Sequence, residues 1–141
     1  MNVKNYLNQC YRLNEIIDSN KNELVNLNNL AISIQSMKFD SDKIKKSNTS
    51  NDAKFVEIIL KIEELERKIY DDIDKYVSLE DEIRNVIDSV KNNTERTIFR
   101  YRYLNFFTWE KIAGKTNLSV RQVHRIHKIA LKNLQMSLNV T

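Results

Sequence analysis

The chain has 141 residues with 23 Lys+Arg, 19 Asp+Glu, one Gly, no Pro, one Cys and 41% hydrophobic residues. That composition excludes collagen, disulfide scaffolds and Pro/Gly-rich disorder, and leaves a small ordered protein of one or two compact units. A lone Cys10 forms no intrachain disulfide, no signal-peptide pattern opens the chain, and no run approaches the ~18 apolar residues of a membrane span. The expectation is a cytoplasmic protein that does not enter the membrane.

The charge is uneven. Residues 1–91 carry 14 basic and 17 acidic side chains, a net of −3, whereas residues 92–141 carry 9 and 2, a net of +7. A localised basic field is the footprint of a surface that meets polyphosphate, although a solvated helix face would look the same in a count. The polar Asn92-Asn93-Thr94 suggests the boundary, giving two expected domains, 1–91 and 92–141.

In chain order, Tyr6, Leu13, Asn20, Leu27 and Ile34 recur every seven residues, with Cys10, Ile17, Leu24 and Ala31 between them. This a/d pattern predicts one amphipathic helix from about Val3 to Met37, with a polar Asn20 in its seam. The polar stretch 38–52 reads as a loop. Helical periodicity resumes at Phe55, Ile58/Ile59, Ile62, Leu65, Ile69, Ile73 and Tyr76 and continues through Ile83, Val86, Ile87 and Val90. One rod is expected there, with a break near Val77 as the alternative because Ser78 and Asp81 resemble an N-cap. Two such helices joined by a polar loop predict a coiled-coil-like helical hairpin. Its leftover apolar positions, Ile16, Val25, Leu30, Ile59 and Ile73, suit either a homodimer or packing on the C-terminal domain.

Beyond Thr94, Glu95 to Leu104 predicts a short helix with Ile98, Tyr101/Arg102 and Leu104 as its apolar or aromatic positions, ending in a turn at Asn105. Thr108 is a good N-cap for a second helix at Trp109–Lys115, with Glu110 in its first turn. After the turn Thr116-Asn117-Leu118, Ser119 and Gln122 have capping-box spacing ahead of Val120, Val123, Ile126, Ala130, Leu131 and Leu134, which line one face of a final helix. Three helices with a short turn between the last two form a helix-turn-helix. Small Ala113 suits a close helix crossing, Leu118 plugs the turn, and Asn117 suits the left-handed conformation of a tight turn. Ser119, Arg121, Gln122, His124, Arg125, Lys128 and Lys132 are the expected DNA-binding residues, because an N-terminal helix face rich in donors matches base edges and phosphates in a major groove.

The residues Thr108-Trp109-Glu110-Lys111-Ile112-Ala113, Leu118-Ser119-Val120-Arg121-Gln122-Val123, Ile126, Ala130-Leu131 and Leu134 resemble the promoter-reading C-terminal region 4 of sigma-70-type factors. Within that group, Arg102-Tyr103-Leu104 with Arg125-Ile126-His127 and Ala130-Leu131 is most similar to the ArpU/RinA-type phage transcription regulators of Gram-positive bacteria. The resemblance is specific over about 94–136 and architectural over 1–91. It implies an all-α protein with a sigma-region-4-like helix-turn-helix, a phage or prophage origin, activation of late genes in a bacterial cytoplasm, and contact with double-stranded DNA and with RNA polymerase. Nothing resembles the −10-reading region of a complete sigma factor. The alternative is a DNA-packaging subunit like a phage small terminase, which also joins a helix-turn-helix to a helical oligomerisation region.

Other residues point to packing. Tyr101, Tyr103, Phe106, Phe107 and Trp109 have the spacing of a small core rather than of base-stacking platforms. His124 and His127 lack the further ligands of a zinc site. Cys10 fits a buried seam position, and the Glu63-Glu64-Glu66 and Asp71-Asp72-Asp74 runs have Lys61, Arg67, Lys68 and Lys75 at pairing distance. With no phosphate loop, nucleophile elbow or paired catalytic carboxylates, an enzyme, a cofactor and a metal are all unexpected.

Overall fold

The computed structural model describes residues 2–40 and 48–140, with side chains for 2–37 and 51–139. The fold is all-helical. Its elements are α1 (Val3–Leu7), α2 (Gln9–Asp40), α3 (Asn48–Asp88), α4 (Asn93–Phe99), a π-helical turn (Arg100–Leu104), α5 (Trp109–Thr116) and α6 (Val120–Val140). Among the described residues no helix is long and apolar enough to cross a membrane.

The elements follow the periodicity with three corrections. The helix expected from Val3 to Met37 is divided at Asn8 into α1 and α2, although Asn8 keeps αR backbone, with its N–H on the Lys4 carbonyl and its carbonyl accepting from Arg12. Asn2 opens α1, its side chain accepting from the amides of Lys4 and Asn5. The expected loop over 38–52 is shorter, since α2 runs to Asp40 and α3 starts at Asn48; residues 41–47 lie outside the described residues. Lys, Asn and Ser lower helix propensity only by tenths of a kcal/mol each, and without Pro or Gly they do not stop a helix. The third correction concerns 95–104, where α4 ends at Phe99 and the chain widens into the π turn, with the Asn105 N–H reaching the Arg100 carbonyl. The second rod is continuous through Val77 and ends at Asp88.

The chain divides into two compact units, residues 1–14 with 75–141, and residues 15–74. A division at 91 does not match this packing. The first unit takes in both the start of the chain and the last turns of α3, because their apolar residues complete its larger core. Val3, Leu7 and Cys10 meet Ile83 and Ile87 of α3, Phe99 and Tyr103, and Ala130 and Leu134 of α6. The Val3 amide also donates to Gln135 Oε1 (3.0 Å), and the Tyr6 hydroxyl donates to Glu82 Oε1 (2.7 Å). Burial, with adjacent Glu80 adding to it and Arg84 opposing it, pushes the Cys10 thiol up to about 11, so it stays protonated and packs as a small hydrophobe.

A second core in the same unit joins Ile98, Ile112, Ala113 and Val123, flanked by Tyr101, Phe107, Trp109, Leu118, Val120 and Ile126. α6 enters both cores, with Val123 in one and Ala130 and Leu134 in the other, so its rotation about its own axis is fixed at two levels. The second unit is thinner. Ile17 and Ala31 of α2 and Ile62, Ile69 and Asp72 of α3 are buried there, at positions of the heptad seam.

Candidate nucleic-acid interface

The start of α6 is built by its own sequence. Ser119 Oγ accepts from the Gln122 amide (3.1 Å) while Gln122 Oε1 accepts from the Ser119 amide (2.9 Å), a reciprocal capping box. Before it, Asn117 takes the left-handed conformation (φ 58°, ψ 31°) that closes α5, and the Leu118 amide returns to the Ala113 carbonyl. Thr108 Oγ1 caps the other end of α5 by accepting from the Lys111 amide (3.2 Å). Two helices are therefore joined by a three-residue turn with caps on both sides.

Ser119, Arg121, Gln122, His124, Arg125, Lys128 and Lys132 are all exposed. Val123, His127, Ala130 and Leu134 of the same helix are buried. The seven exposed residues do not share one role. Ser119 and the side-chain carbonyl of Gln122 are committed to the cap, leaving the Gln122 amide NH₂ as its outward donor. His124 lies against Trp109, ring centroids 4.5 Å apart. Among the described residues, Arg121, Arg125, Lys128 and Lys132 form no ion pair or hydrogen bond within the protein. Their spacing of four, three and four residues sets them along one stripe of α6, over roughly 16 Å.

The arginines ahead of α5 are spent differently. Arg96 Nη1 donates to the Val90 carbonyl (2.9 Å), Arg100 pairs with Asp88 (2.7 Å), and Arg102 Nη1 donates to the Phe107 carbonyl (3.0 Å) with its guanidinium 4.2 Å from the centre of the Trp109 ring. These cations, counted in the +7 of the C-terminal third, hold the scaffold. Lys111 and Lys115 of α5 stand over the Phe107 ring, at 4.1 and 5.6 Å from its centroid. Trp109 is thus held between Arg102 and His124, and its half-buried ring packs as core material, as its spacing suggests.

His127 parts from His124. It is 5% exposed, its Nε2 lies 2.6 Å from the Tyr103 hydroxyl, and the rings of Phe99 and Trp109 stand edge-on to it. Burial, then the neighbouring Lys4, Arg102 and His124, lower its pKa to about 4, so at neutral pH the ring that shares this hydrogen bond with the phenol is uncharged. Burial pushes Tyr103 up to about 12 against the opposing Arg102. No group of three or more His, Cys, Asp or Glu that could hold a metal occurs among the described residues.

Sequence reasoning missed Phe99 and His127 as core residues, and it counted Tyr103 among the core aromatics without placing it on the apolar face of its helix. A strict 3.6-residue phase across Glu95–Leu104 favours Tyr101/Arg102 over Tyr103, and the π turn shifts that phase. No signal marks the turn in the sequence. The basic residues opposite Phe107 and Trp109 were visible only as charge.

No characterised protein and no solved structure matches the chain. A family model does, over residues 33–135, which span the end of α2 through most of α6. With most of its length matched, the chain belongs to the family described as protein of unknown function, DUF1492.

Proposed function

We propose that this protein is a sequence-specific DNA-binding transcription regulator in which α5, its turn and α6 act as a helix-turn-helix and α6 is the reading helix. The observation that carries the reading is the stripe Arg121, Arg125, Lys128 and Lys132, exposed and without partners among the described residues, on a helix whose rotation two cores fix. Leaving four cations unpaired along one face of a small domain favours a polyanion there. The distribution suits DNA in particular. Arg121 and Arg125, near the capped N-terminus, present forked donors that match guanine O6 and N7, while Lys128 and Lys132 stand farther along as point charges for phosphate. The amide NH₂ of Gln122 adds a donor on one side of this stripe, and His124, packed against Trp109, lies on the other. The N-terminal end of α6 favours the same negative charge.

The resemblance to ArpU/RinA-type regulators supports reading it as a phage or prophage activator of late genes with RNA polymerase as a further partner. The reading requires no catalytic chemistry and no cofactor. Incubating the full chain with fragments of its source genome and sequencing what it retains tests the reading. The expected result is enrichment of discrete sites ahead of a transcription unit; uniform recovery of all fragments, or none, contradicts it.

A further inference from the structure

Arg102, His127 and His124 all stand against the ring of Trp109, and two of the three are fixed by other bonds. The Arg102 guanidinium lies 4.2 Å from the ring centre and is pinned by the bond from its Nη1 to the Phe107 carbonyl (3.0 Å). The buried His127 ring stands edge-on at 4.7 Å and is pinned by its bond with the Tyr103 hydroxyl (2.6 Å). A cation on the indole and a fixed imidazole beside it set the orientation of Trp109 before anything binds. His124 differs from both. It is exposed, its ring lies 4.5 Å from that of Trp109, and its nitrogens have no hydrogen-bond partner among the described residues.

Helix phase decides what such a ring can reach. At about 100° per residue, His124 lies roughly 60° from Arg121 and roughly 40° from Lys128, on the side of the stripe away from Gln122. That is the flank of α6 facing α5, and Lys128 continues it one turn later. A helix seated in a major groove turns its centre to base edges and its flanks to the phosphate walls. We infer that His124 donates a ring N–H to a backbone phosphate of bound DNA and that Trp109 is the positioning residue which holds the imidazole ready for it, an inference that rests on the DNA-binding reading. An exposed side chain that is ordered only on binding costs about two- to tenfold in affinity. His124, packed on a ring that is itself clamped, has been ordered beforehand. Trp109 need not touch DNA for this, since it acts through His124.

A double-mutant cycle on the full chain tests the inference, with isotherms on a duplex recovered from the source genome and on a scrambled one. His124→Ala should weaken both duplexes alike, about tenfold, the loss expected of a hydrogen bond to a charged group. Arg125→Ala, by contrast, acts mainly on the specific duplex. Trp109→Leu should weaken both about three- to fivefold, should add nothing once residue 124 is alanine, and should be rescued by Trp109→Phe. A purely structural Trp109 would instead lower binding by the same factor in either background. In the wild type, nuclear Overhauser contacts between the Trp109 and His124 rings should persist when DNA is added, and they decide the matter if Trp109→Leu does not fold. Independent losses in the cycle, wild-type binding by His124→Ala, or disappearance of those contacts in the complex overturns the inference and leaves the DNA-binding reading standing. A wild type that binds neither duplex overturns both.

Discussion

His127 and Tyr103 show how one hydrogen bond fixes a helix that sequence periodicity alone leaves loosely placed. The buried ring and a buried phenol are hydrogen-bonded to each other, and neither has water as a substitute. Tyr103→Phe therefore strands a buried nitrogen and should cost about 1–3 kcal/mol of stability in a denaturant titration. Acid should weaken the fold for the same reason. An unfolded histidine titrates near 6.5 and folded His127 near 4, so between those values the unfolded chain binds a proton that the folded chain does not. Stability contributed by His127 is complete above pH 6.5 and falls as the pH drops toward 4, by up to about 1.4 kcal/mol per unit. His127→Gln should show a shallower pH slope in that window; an identical slope would place the acid sensitivity elsewhere. The exposed half of α6 was legible residue by residue, because helix phase alone decides that Arg121 and Arg125 face away from Val123. What was not legible is the division of labour among polar residues. Gln122 and His124 read as DNA contacts, yet their geometry also serves the cap and the Trp109 ring, and only three-dimensional neighbours reveal that.

The helix ends carry most of what the sequence encodes locally. Thr108, Asn117 and the Ser119/Gln122 pair all take their expected capping conformations, since each satisfies backbone groups that the helix itself cannot. Ser119→Ala should lose about 1 kcal/mol by thermal or chemical unfolding. Asn117→Val should lose at least as much, because a β-branched residue resists the left-handed backbone that Asn tolerates. Gly114 offers the reverse test. It sits exposed inside α5 with nothing within 4 Å of where a Cβ would stand, so Gly114→Ala should raise stability by about 0.5–1 kcal/mol. A fall in stability would mean that α5 is not the regular helix seen here. The π turn at Arg100–Leu104 escaped sequence reading because its residues fit an α-helix equally well. Its widened register follows from seating Phe99 and Tyr103 together in the larger core, a tertiary demand that no ten-residue window contains.

At the level of the whole molecule, helical content and the two long rods were legible from composition and heptads, whereas the partition into units was not. The charge change at Asn92 marks a change of surface. Packing joins 1–14 and 75–91 to 92–141, since removing them uncovers Phe99, Tyr103, Ala130 and Leu134. A fragment of 92–141 should consequently show no cooperative melt by circular dichroism, while a chain in which a short linker replaces 15–74 should retain one. The sharpest measurement is a set of binding isotherms for Arg121→Ala, Arg125→Ala and Lys132→Ala on specific and scrambled duplexes across salt concentrations, each variant first shown to be folded. Both arginine variants should lose about 1–3 kcal/mol on the specific duplex and much less on the scrambled one. Lys132→Ala should weaken both alike and reduce the salt slope by about one. If both arginine variants keep the wild-type ratio of specific to scrambled binding, α6 is not the reading helix.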